Sequence, residues 1–178
     1  DHGSIMKIKD QWYIFYHKMT NGSIMSRVGC VEKINIEEDG TIKQVETTSL
    51  GFSESLNPYK PVNVQTACVL TNGATITEKN LFEQNITNIK TGSIMGWKYF
   101  DFGYNSGSEM DIVLHIESCY LNGTVSVYID GKDEEDGGIK VATVDFNHGD
   151  SVISGKINVP STGAKSLTGR HSVYLKAE

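Results

Sequence analysis

Short strand-like runs separated by turn dipeptides fill this chain, and no helical period of apolar residues interrupts them. Residues 3–46 read as four consecutive strands, SIMKI, QWYIFYHKM, SRVGCVEKINI and TIKQVET. The breaks are Lys9-Asp10, Asn21-Gly22 and Asp39-Gly40. These residue types tolerate positive φ or hydrogen-bond their own backbone, so each run should fold back on the last. In QWYIFYH, Trp12, Ile14 and Tyr16 share one face and Tyr13, Phe15 and His17 the other. Both faces of this strand are therefore largely apolar.

A four-stranded meander of this length is the size of one β-propeller blade. One blade cannot bury two apolar faces alone, so the rest of a propeller or another chain is expected against it. The chain starts at Asp1 rather than Met, and the expectation is that an earlier part of a larger protein precedes it. Near residues 47–63, TTSLGFSESLNPYKPVN, the alternation stops and Pro58 and Pro61 appear. This reads as a linker.

Beyond it come further short strand candidates, among them WKYFDF at 97–102, DIVLHIES at 111–118, TVSVYI at 124–129, IKVATV at 139–144 and HSVYLKA at 171–177. Turn signals at Asn72-Gly73, Asn122-Gly123, Asp130-Gly131 and His148-Gly149 separate them. Evenly spaced short strands predict a β-sandwich. Val125, Val127 and Ile129 should share one face, as should Ile112, Leu114 and Ile116. The expected fold is all-β: one four-stranded propeller blade at 1–50, a linker at 51–63 and a jelly-roll type sandwich at 64–178.

A formal net charge of −6 disfavours nucleic acid and anionic membrane as partners. No apolar run approaches the roughly 20 residues of a membrane span. Cys30, Cys68 and Cys119 each lie in or beside an apolar strand, where a small buried hydrophobe is the plain reading. A Cys68–Cys119 disulfide and a catalytic thiol are the alternatives. The acidic run DGKDEEDGG at 130–138 invites calcium, but its aspartates stand three apart, where a helix-flanked calcium loop needs alternate positions. It reads as a hairpin loop. Asn21, Asn85 and Asn122 each open a glycosylation acceptor pattern, and two of the three are also turn residues.

His2, in DHGS before the first strand, can ligate a metal or touch a substrate; a surface loop histidine is the plain alternative. Arg27 can clamp a carboxylate or a sugar hydroxyl, or serve as an exposed arginine. Tyr104 and Tyr120 are the loop aromatics best placed to stack on a sugar ring, against ordinary loop packing. Trp97, Tyr99 and Phe100 sit on a strand and belong to the core. Acid–base carboxylate pairs for glycoside hydrolysis come from separate strands and cannot be recognised by spacing.

The run H-G-S, then W-Y-I-F-Y-H, then S-R-x-x-C-V-E, then E-D-G-x-I resembles the final blade of family 43 glycoside hydrolases. ITNIKTGSIMGWKYFDFG, VYIDG, KVATV and TGRHSVYL resemble a family 6 carbohydrate-binding module. The resemblance implies a five-bladed propeller that hydrolyses arabinose- and xylose-containing polysaccharides with inversion, and a secreted or cell-surface setting. It implies that the acid and base sit on other blades, so that this chain is not active alone. Matching positions make His2 a metal ligand, usually to calcium, in the complete propeller, and bring Arg27 near the substrate. The sandwich departs from the pattern. The positions of the two sugar-stacking aromatics align with Asn88 and with Asp150 and Ser151, and QTACVL replaces a pair of calcium-holding glutamates. The resemblance thus supports the module's fold, while its loop cleft lacks the residues that stack on sugar; binding on another surface, or a purely buttressing role, is the alternative.

Overall fold

The computed structural model describes residues 2–20, 25–104, 108–117, 120–160 and 162–178. Three strands open the chain: β1 (Ser4–Ile8), β2 (Gln11–Met19) and β3 (Arg27–Ile34). They form an antiparallel sheet in the order β1-β2-β3, with Ile5 opposite Ile14 and Phe15 opposite Val31. The fourth expected strand does not form. Asp39-Gly40 makes its turn, and Ile36 bridges Ile42 in isolation, but the pairing stops there. Residues from Glu46 on are engaged elsewhere. Thr48 turns its amide and hydroxyl onto Glu32, and Glu46 reaches Lys98 and Tyr99. Side-chain and backbone bonds to other elements have replaced a β ladder.

The segment at 51–63 lies packed on both sides. Phe52 sets its ring against Tyr13 and Phe15, with centroids 5.2 and 6.1 Å away. Leu56 exchanges backbone bonds with Tyr99 and Asp101, and the Tyr59 hydroxyl donates to the Phe102 carbonyl at 3.1 Å. Leu56, Val62 and Val64 all pack on the main core. A short 3₁₀ turn, Val64–Thr66, closes this stretch.

The remaining strands are β4 (Val69–Leu70), β5 (Thr75–Glu78), β6 (Gln84–Thr87), β7 (Ile94–Asp101), β8 (Asp111–His115), β9 (Gly123–Ile129), β10 (Ile139–Phe146), β11 (Val152–Lys156) and β12 (Arg170–Ala177). One five-stranded sheet runs β10-β9-β12-β7-β4, and β8–β11 and β5–β6 form two antiparallel pairs. The core lies between the large sheet and these pairs. Met95, Trp97, Val127, Ile129, Val144, Val173 and Leu175 meet Ile153, Ile112, Leu114 and Ile86 there. The period-two patterns of β8 and β9 aim these side chains inward, as the sequence predicts.

The centre of the outer face of the large sheet is also buried. Ser126 and Tyr128 are each only 1% exposed, and Tyr128 packs with Ile94, Tyr174 and Val69. The acidic 130–138 loop is the reason. It folds back so that Glu134 accepts from the Tyr128 hydroxyl at 2.8 Å, while Asp133 pairs with Lys176 at 3.0 Å. Lys140 lies over the Tyr128 ring, 5.3 Å from its centroid. The loop is the hairpin connection between β9 and β10 that the sequence suggests, and it also covers part of the sheet.

Candidate functional site

His2 and Arg27 come to one end of the three-stranded sheet. Ser4 pairs with Phe15, and Arg27 pairs with Met19, so both residues flank the C-terminal half of β2 on opposite sides. Both are exposed. Calcium takes six to eight ligands, mostly oxygen. His2 supplies one nitrogen, and among the described residues no group of three or more His, Cys, Asp or Glu could hold a metal. The described residues do not by themselves fit calcium.

Further along β3, opposite Ile14, lies a carboxylate that the sequence reading did not single out. Glu32 is 5% exposed. It accepts from the Thr48 amide at 2.7 Å, the Thr48 hydroxyl at 2.6 Å and the Tyr16 hydroxyl at 3.3 Å. Burial, seconded by the Glu32 charge, pushes the Tyr16 hydroxyl up to about 12. Burial likewise raises the Cys30 thiol, which keeps it protonated and a poor nucleophile. Cys68 Sγ lies 3.5 Å from the Gly96 carbonyl. Cys119 and Asn21 lie outside the described residues.

A cavity of about 260 Å³ opens where the first sheet meets the large one, lined by Glu32, Gln44, Glu46, Thr48, Tyr99 and Arg170, among others. Arg170 stacks over the Tyr99 ring at 4.8 Å. The Tyr99 hydroxyl touches both Glu46 oxygens at 2.9 Å, and Lys98 pairs with Glu46 at 2.9 Å. The Lys98 and Tyr99 hydrogen bonds and the Lys98 charge oppose the desolvation of the Glu46 carboxyl and leave it below its usual range. These residues come from four distant segments, which is why no spacing in the chain announces them.

At the sandwich loops, the two positions expected to lack stacking aromatics do so in their geometry as well. Asn88, at φ 57°, donates its side-chain amide to Thr75. Asp150 closes a tight turn by accepting from the Asn147 amide at 2.7 Å. Tyr104 and Tyr120 are 93% and 80% exposed, consistent with their place in loops. Tyr120 stands 5.9 Å from the His148 ring, and the His148 amide is held by Asn122. The structure does not bring Tyr104 and Tyr120 into contact with each other.

No family model matches the sequence. A xylosidase/arabinosidase of Thermoclostridium stercorarium is 57% identical over 58 residues, covering 33% of this chain and 12% of its own length. An arabinoxylan arabinofuranohydrolase of Bacillus subtilis is 27% identical over an alignment covering 97% of this chain and 34% of that protein. One of Paenibacillus polymyxa is 23% identical over 98% of this chain and 28% of that protein. The chain thus spans about a third or less of the length of these relatives. Among solved structures, a Bacillus subtilis family 43 arabinoxylan arabinofuranohydrolase in complex with cellotetraose matches with a TM-score of 0.57 at 22% identity, over 99% of this chain and 37% of the other. CsCBM6-3 of Clostridium stercorarium, in complex with cellobiose, matches with a TM-score of 0.54 at 15% identity, over 70% of this chain and 88% of the other. Both parts of the resemblance, the blade and the sandwich, are met in these comparisons.

Proposed function

We propose that this chain is the C-terminal part of a family 43 glycoside hydrolase acting on arabinose- and xylose-containing plant polysaccharides, a last blade followed by a family 6-like module. The observation that carries this reading is the likeness to arabinoxylan arabinofuranohydrolases along nearly the whole chain, reinforced by the 57% identical stretch. Inverting hydrolysis needs a carboxylic acid and a carboxylate on opposite sides of the scissile bond. In this reading both come from the rest of the propeller. The blade edge bearing Arg27 forms part of the substrate-facing wall, and His2 contributes to a calcium site only there.

The partner is a polysaccharide or oligosaccharide, in keeping with solved neighbours that are complexes with cellotetraose and cellobiose. The loop cleft of the sandwich contributes little to holding it, because Asn88 and Asp150 cannot stack and polar contacts to sugar largely exchange with water. The test is the product of the complete gene assayed on arabinoxylan. Release of arabinose or xylose, reduced at least tenfold by Arg27→Ala with the fold intact by circular dichroism, is the expected result. A well-folded full-length protein that releases neither sugar would refute the reading.

A further inference from the structure

The most exposed large apolar side chains of the sandwich, apart from Tyr104, are in the loop between β5 and β6. Leu81 is 94% exposed and Phe82 is 90% exposed. The turn that carries them is built, not slack. The Asn80 carboxamide oxygen accepts from the amides of Phe82 and Glu83 at 2.9 and 3.0 Å, and its nitrogen donates to Glu83 at 2.9 Å. Lys79 pairs with Glu83 at 3.5 Å and reaches Glu117 on the next loop at 2.7 Å. Glu117 precedes Tyr120 and Leu121, themselves 80% and 73% exposed. Two exposed apolar pairs, each with an aromatic ring, therefore stand on loops tied together by one ion pair.

We propose that the Leu81–Phe82 tip is a stacking platform for an extended, uncharged β-linked polysaccharide chain, with Tyr120 as a second platform. This rests on the reading of a polysaccharide partner and gives it a surface on the module away from the disabled cleft. Size favours it over a protein partner. The Leu81–Phe82 tip offers on the order of 300–400 Å², whereas a standard protein interface buries about 800 Å² on each partner. Charge favours it over an anionic membrane or nucleic acid. Glu83 and Glu117 flank the tip with Lys79 already paired to both, and basic clusters of the kind that hold anionic surfaces are missing from this turn.

Affinity electrophoresis of the chain through gels containing soluble arabinoxylan tests this, with Phe82→Ala, Leu81→Ser, Tyr120→Ala and Tyr104→Ala run beside it and each fold checked by circular dichroism. The expected outcome is retardation of the parent chain, weakened about 2- to 10-fold by Phe82→Ala and further by adding Tyr120→Ala, with Tyr104→Ala unchanged. Retardation that survives Phe82→Ala overturns the platform. So does a Phe82→Ala variant that differs only in sedimentation, which would make the tip a protein contact. A parent chain that is not retarded also overturns it and leaves the hydrolase reading standing, since that reading is scored on sugar released by the full-length protein.

Discussion

Tyr16 shows how a single residue responds to its surroundings. Its ring is half-buried in the first sheet and its hydroxyl donates to Glu32. Its ionisation is pushed up to about 12, mainly by burial, against an ordinary value of 10.0. Between those two values the unfolded chain has lost this proton and the native chain has kept it. Stability is therefore unaffected by Tyr16 below about pH 10 and falls as pH rises from there toward 12. Tyr16→Phe should flatten part of that decline. Urea midpoints of parent and variant, compared across pH 9–12, measure it; identical slopes would show that Tyr16 does not retain its proton. Some decline will remain, because Tyr99 and Tyr128 are also raised, chiefly by burial and then by hydrogen bonds to Glu46 and Glu134. At this scale, exposure was legible in the sequence. Tyr104 and Tyr120 lie beside turn residues and stand in solvent. The anchoring carboxylates Glu32 and Glu46 were not legible, because their donors come from residues up to 53 positions away and no local pattern records them.

The elements arise from period-two patterning wherever one face meets the core, which is why β8, β9 and β12 stand where alternation and turn chemistry predict. Patterning misled at TIKQVET, which alternates but forms no strand: Glu46 is drawn to Lys98 and Tyr99. Close approach between strands is another matter that no alternation reveals. Gly96 in β7 faces Tyr174 in β12 and Val69 in β4. A Cβ there would stand 2.4 and 2.6 Å from Tyr174 ring carbons and 3.1 Å from Val69. Tyr174 is 5% exposed and pairs with Tyr128, so its ring has no room to yield. Gly96→Ala should therefore destabilise the protein by about 1–3 kcal/mol, the usual cost of overpacking. Gly29→Ala in β3 is the matched control, since its Cβ would meet nothing within 4 Å. Thermal unfolding should lower the midpoint for Gly96→Ala and leave Gly29→Ala within about 1 °C of the parent. Equal midpoints for all three would mean that the sheet adjusts where the geometry says it cannot.

At the scale of the whole molecule, the question is whether the first sheet and the sandwich unfold together. The first sheet is a poor body by itself. All five residues of β1 are exposed, and of its apolar side chains only Tyr13 and Ile34 are buried. Three strands with so little buried area are marginal without something packed against them. What they have is the stretch from Glu46 to Leu56, which the sequence suggested only as a break in alternation. Thr48 holds Glu32 and Phe52 covers Tyr13 and Phe15 on one side, while Ser49 and Leu56 donate to the Lys98 and Tyr99 carbonyls at 2.8 Å on the other. Two more links cross directly: Ile76 donates to the Thr20 carbonyl at 3.1 Å and Lys18 Nζ to the Ala67 carbonyl at 2.6 Å. Losing the sandwich would leave all of these donors and acceptors to water and uncover the aromatic face of β2, so the sheet should not outlast it. The two tryptophans make this measurable, for Trp12 lies in β2 and Trp97 in β7. In Trp97→Phe the fluorescence reports the first sheet alone, and in Trp12→Phe it reports the sandwich. Each variant's fluorescence midpoint in urea should coincide with its own far-ultraviolet dichroism midpoint, as one cooperative transition requires. A Trp12 signal lost at clearly lower urea than the dichroism would show that the stretch from Glu46 to Leu56 tethers the sheet without coupling it.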